Sequence, residues 1–188
     1  MEQVIKSCEN GYEIIITSDS NIAELIDRLC FVNFRQWNFE DAIRDKSISH
    51  EDALILIRKI QSSNSERNQL IEMIDKNYLK KEIIKVSNSR IQVVYHETLG
   101  QIIDILSVFY IRKFHLRKML KSGIINYSNG VSIHEAISAV VQQIVLCEKS
   151  FSQLYELYFS GQITLPPFTR LKLYAFNENT PFNNSSKG

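Results

Sequence analysis

Apolar residues return every three or four positions along most of this chain, the spacing that lines one face of an α-helix. From Ser20 the stripe runs through Ile22, Leu25, Ile26, Leu29 and Val32, with Ser20 or Asn21 as N-cap, and predicts a helix to about Asp45. Ser49, with Asp52 three residues on, is a variant capping box that opens a second helix. Its stripe is Ala53, Leu54, Ile57, Ile60, Asn64, Ile71, Ile74 and Tyr78, and it ends near Leu79. Thr98 with Gln101 starts a third helix, in which Ile102, Ile103, Leu106, Phe109 and Phe114 face inward and Gly123 is the stop. Ser132 with Glu135 starts a fourth through Ile133, Ile137, Val140, Val141, Ile144, Phe151, Leu154 and Tyr158, closed by Gly161.

Between the stripes the period is lost. Residues 12–17 are β-branched enough for a short strand, but no partner strand is in view. Residues 80–96 read as a loop with an extended piece at 90–95. Pro166-Pro167 cannot continue a helix, residues 168–176 alternate, and the Asn- and Ser-rich tail has a disordered composition. The expectation is an all-α four-helix bundle with short irregular additions at both ends. It forms a single domain over 1–178, with 179–188 as a disordered tail.

Composition narrows the partners. At 188 residues and 44% hydrophobic the chain can bury one core, and only 6 Gly and 3 Pro favour long helices. A net charge of +1 argues against a general nucleic-acid surface. The 3 cysteines (Cys8, Cys30, Cys147) are scattered without metal spacing and read as reduced thiols. No apolar run approaches the ~20 residues of a transmembrane span, and no secretory signal is visible, so a cytoplasmic protein is expected.

Candidate chemistry lies where polar residues interrupt the helix faces. Trp37, Glu40, Asp41 and Arg44 share one face, at offsets of three, four and seven. Gln61, Asn64 and Asn68 occupy positions where Ile or Leu is expected. Burying such groups unpaired costs several kcal/mol, so they imply an interhelix network or a site. In the network, Arg67 pairs with Glu40 and Asn64 satisfies the rest. In the site, Glu40 or Asp41 holds a cation or a hydroxyl proton while Arg44 takes an anion. Glu40 and Asp41 with Glu72 and Asp75 also loosely resemble the magnesium-holding acids of helical nucleoside-triphosphate pyrophosphohydrolases. His115, eleven residues beyond Asp104, is a candidate general base. The basic run Arg112, Lys113, Arg117, Lys118 and Lys121 complements a helix C-terminus. With Arg170 and Lys172 it could instead receive a sugar nucleotide, a lipid phosphate or a membrane surface.

These residues also carry a resemblance. Gln36, Trp37, Glu40, Asp41, Arg44 and Asp45 form one block; Ser63, Asn64, Arg67, Glu72 and Asp75 a second. Glu97, Gly100, Ile103, Asp104, Leu106, Ser107, Arg112 and His115 form a third, and Arg170, Lys172, Tyr174 and Asn177 a looser fourth. Together they resemble the bacterial domain-of-unknown-function family 4254 over nearly all of 20–178. Asn38 stands where the family pattern has His, and Ile105 where it has Arg. The resemblance implies a cytoplasmic helical protein found beside glycosyltransferases for surface polysaccharide, with no established activity. The leading expectation is therefore an accessory or partner-binding factor in glycan assembly, with a glycosyltransferase-type enzyme as partner. The alternative is a small enzyme for a phosphate-bearing substrate, with metal dependence left open. Its candidate catalytic residues are Glu40, Asp41, Asp104 and His115. Its candidate substrate contacts are Trp37, Arg44, Asn64, Arg67, Arg112, Arg170, Lys172 and Tyr174. No metal-ligand set and no cofactor are assigned.

Overall fold

The computed structural model describes residues 1–11, 20–79, 97–126, 130–163 and 165. Their regular structure is helical: α1 (Glu2–Glu9), α2 (Ile22–Ile43), α3 (His50–Leu79), α4 (Leu99–Lys121) and α5 (Ile133–Phe159). The expected strand at 12–17, the extended piece at 90–95 and the tail lie outside the described residues.

The helix starts follow local chemistry. Asn21 accepts from the Ala23 and Glu24 amides, and Glu24 accepts from the Asn21 amide, a complete capping box. Thr98 and Gln101 do the same at α4. At α3, Ser49 accepts from the Asp52 amide while its hydroxyl donates to the Asp52 carboxylate. Ser132 caps α5 through the His134 amide, at two residues' reach, so the box expected with Glu135 gives way to a simpler cap.

The N-terminal addition is a helix, not an irregular segment. Ile5 and Cys8, three apart on one face of α1, are buried against Phe34 and Ile111, and that contact explains why so short a helix holds. α2 and α3 run antiparallel, and α4 packs against both, parallel to α2. Leu25, Leu29, Val32, Leu70, Ile71, Ile74 and Ile103 form their shared core. Each fully buried aliphatic there contributes about 1.5–3 kcal/mol.

The four long rods are all present, but their contacts do not describe a closed four-helix bundle. Among the described residues, the backbone of α5 neighbours only α4. It runs antiparallel to α4, with Leu116 against Ile133 and Val140 at one end and Ile102 against Leu154 and Tyr158 at the other. Phe151 and Tyr155 reach across to Tyr78 of α3.

The α3 stripe also differs from the expected one. Leu54 and Ile57 are 53% and 41% exposed. The inward line passes through Ala53, Leu56, Ile60, Ser63, Arg67, Leu70, Ile71 and Ile74. Asn64 sits one position off it and is exposed. A hydrophobic run such as Ala53–Ile57 fits several phases of a helix, and the partner helices select one.

Candidate functional site

Three helices deliver polar groups to one buried point. Val32 and Asn33 are consecutive buried positions of α2, so the inward face that begins at Leu25 carries an amide at this level. Asp104 and Ser107 are three apart on the buried face of α4, and Arg67 interrupts the apolar line of α3. The Arg67 guanidinium grips Asp104 with both prongs, Nε on Oδ1 at 2.6 Å and Nη2 on Oδ2. Asn33 Nδ2 donates to Asp104 Oδ1 at 2.9 Å and to Ser107 Oγ at 2.6 Å, and the Ser107 hydroxyl donates to the Asp104 carbonyl. The bidentate bond to Asp104, with a smaller contribution from Glu40, raises the Arg67 pKa further. Both carboxylate oxygens of Asp104 are thus engaged.

The expected partner of Arg67 was Glu40. Glu40 instead accepts from Gln36 Nε2 at 2.9 Å and acts on Arg67 only through its charge. Asn64 does not join: it is exposed, and its backbone carbonyl accepts from the Asn68 side-chain amide on the surface of α3. The acid layout suggested for magnesium does not form either. Glu72 pairs with Lys76, and Asp41 with Arg44, both exposed. No group of three or more His, Cys, Asp or Glu suited to a metal occurs among the described residues.

Asp75 serves α4. It accepts from Thr98 Oγ1 at 2.6 Å and from the Gly100 amide at 2.7 Å, so it satisfies first-turn donors from another helix. Burial raises its pKa and these bonds partly oppose the rise. A Cβ on Gly100 would stand 2.7 Å from the Ile71 carbonyl oxygen. Only glycine lets α3 and α4 approach this closely.

A second convergence is open. His115 lies eleven residues beyond Asp104, ~16 Å further along α4 at ~1.5 Å per residue. The two therefore belong to different places. His115 stacks on Phe34 (5.8 Å) and on Trp37 (5.1 Å), with Phe114 edge-on. Its Nε2 is buried without a hydrogen-bond partner among the described residues. Burial lowers its pKa, with Asp41 opposing and Lys118 reinforcing. Burial therefore favours the neutral imidazole. Trp37 Nε1 donates to Asp41 at 3.0 Å, and Arg44 binds the other Asp41 oxygen at 2.9 Å. A cavity of about 430 Å³ opens here, bounded by Trp37, Asp41, Arg112, His115 and Lys118, with Leu116, Met119 and Ile124 as its apolar wall.

Of the candidate residues, then, Arg67 and Asp104 meet in the buried cluster, and Trp37, Asp41, Arg112 and His115 meet at the cavity. Arg44 touches the second group through Asp41, while Glu40 stands beside the first. Arg170, Lys172 and Tyr174 lie outside the described residues. Sequence reasoning passed over Asn33, although a lone amide continuing the stripe after Leu29 and Val32 was its signal. It also missed Glu66, which Arg28 and Arg35 clamp from two turns of α2.

The family model for DUF4254, a protein family of unknown function, matches residues 23–165. The chain belongs to that family. The matched span takes in most or all of each of α2 to α5, both polar convergences included, while α1 precedes it. The matched span thus covers the Asn33–Arg67–Asp104 cluster and the Asp75–Gly100 junction, which account structurally for Arg67, Asp75, Gly100, Asp104 and Ser107 among the residues that carried the resemblance. No curated protein and no solved structure matches the chain. No described helix is long and apolar enough to cross a membrane.

Proposed function

We propose that the protein is an accessory, partner-binding factor in bacterial surface-polysaccharide assembly, one that holds its partner and catalyses nothing at the buried cluster. The observation that carries this is Asp104. A general base needs a free oxygen within reach of a substrate proton, and both of its oxygens are held by Arg67 and Asn33. The cluster acts as a lock between α2, α3 and α4. The glycan setting and the glycosyltransferase-type partner come from the family resemblance.

The test is deletion and complementation in the source bacterium, with surface polysaccharide as readout. Deletion lowers the polymer, and folded Glu40→Gln and His115→Gln variants restore it in full. Failure of folded His115→Gln to restore, together with turnover of sugar nucleotides by the purified protein, would sink the accessory reading.

One observation favours the second reading, a small enzyme for a phosphate-bearing substrate. Trp37, Asp41, Arg112 and His115 border one cavity with Lys118. There the neutral His115 would accept a proton, Arg112 and Lys118 would face the phosphate, and Trp37 would stack on a ring. A ligand at 100 times its dissociation constant stabilises by ~2.7 kcal/mol, so thermal shift with sugar nucleotides reads this directly. A shift abolished by Arg112→Gln supports it, and no shift across the panel removes it.

A further inference from the structure

We infer that the end of the molecule formed by the last turns of α4 docks on an anionic lipid surface. This inference does not rest on the function proposed above. Between α1 and α4 lies a cavity of about 640 Å³ whose walls carry five cations, Lys6, Lys113, Arg117, Lys118 and Lys121. Among the described residues two acids face them, Glu2 and Glu9. Glu2 pairs with Lys113 and sits 3.6 Å from Arg117, and Glu9 pairs with Lys118. The cations also bring Glu2 below the usual carboxylate range, the Lys113 bond foremost. The face therefore keeps a positive excess although the chain as a whole is near neutral, at +1.

The chain then turns at Gly123 (φ +82°) and presents Ile124 and Ile125, 42% and 60% exposed. Val131, on the far limb of the turn, is 42% exposed. The Ile133 amide donates to the Ile125 carbonyl at 2.8 Å, and Asn126 bridges Ser132, so the segments carrying Ile125 and Val131 are held side by side. Ile124 and Lys118 border the same cavity on the α2 side, and Lys118 also lines the basic cavity, so the exposed isoleucines begin where the cations end. Lysine and arginine beside protruding isoleucines match the two layers of a membrane interface. Cations meet phosphate headgroups while aliphatic tips enter the acyl boundary. A nucleic-acid backbone would use the cations and leave the isoleucines in water.

Co-sedimentation of the full chain with vesicles of phosphatidylcholine, with and without phosphatidylglycerol, tests the assignment. The protein should sediment with the anionic vesicles alone, and less so as salt rises. Arg117→Gln and Lys121→Gln should each lower partition about fivefold, the factor corresponding to ~1 kcal/mol per cation. Ile125→Ser should lower it about tenfold through lost apolar insertion. Lys149→Gln, an equal charge change on the exposed surface of α5, should leave it unchanged. All four sites are exposed, so unchanged melting temperatures are expected. The assignment is overturned by no sedimentation of the unaltered protein, by an equal loss in Lys149→Gln, or by indifference to Ile125→Ser. Release by millimolar inorganic phosphate at constant ionic strength would reveal a small-anion site and overturn it as well.

Discussion

Asp104 and His115 are both polar residues on one helix, and their surroundings give them opposite characters. Asp104 is 4% exposed and neutralised by a guanidinium, so its removal leaves Arg67 partly buried without its counter-charge. Asp104→Leu alone should cost about 3–5 kcal/mol, whereas Asp104→Leu with Arg67→Met should recover much of that loss. Urea midpoints of the single and double variants check this; equal destabilisation of the two would mean the pair is not the lock. His115 is held neutral by aromatic walls and burial, so the unfolded chain binds its proton more readily. Its contribution is full above the unfolded value of 6.5 and falls as pH drops from there toward the lower folded value. Asp75, raised by burial, has the opposite sign: it favours the folded state at low pH and loses that advantage as pH rises through its folded value. His115→Phe should therefore flatten the loss of stability below about pH 6.5. Denaturation at neutral and mildly acid pH would show it, and parallel slopes for both proteins would refute it.

At the scale of elements, capping and periodicity made the helices readable. Asn21 and Thr98 with their partners three residues on form the boxes that mark α2 and α4. The phase of α3 was not readable, because Leu54, Ile55, Leu56 and Ile57 are consecutive and every face of that turn is apolar. α1 was overlooked because its stripe is only Ile5 and Cys8, too short to stand out without the Phe34 and Ile111 it packs on. Gly100 shows an element contact that no propensity announces. Gly100→Ala would improve helix propensity yet should destabilise by about 1–3 kcal/mol, since the new methyl meets the Ile71 carbonyl. Neutral or increased stability in a thermal melt would show that α3 and α4 separate without cost.

For the whole molecule, the unequal neighbours of α5 matter most. α2, α3 and α4 share a core and a polar lock, whereas α5 has one backbone neighbour among the described residues. Cooperative opening should begin there. In native-state hydrogen exchange under rising denaturant, α5 amides should lose protection before those of α2; simultaneous loss would mean a single cooperative unit. The four long helices, their approximate limits and the charged and amide residues that interrupt their stripes were fixed by local sequence, because caps and 3.6-residue periodicity act within a few positions. Which interruptions meet was settled only by tertiary structure. Helix rotation and axial level brought Arg67 to Asp104 and Asn33 instead of Glu40, left Asn64 in solvent, and set His115 against Trp37. Those two quantities depend on how distant side chains interlock, and no local stretch of chain encodes them.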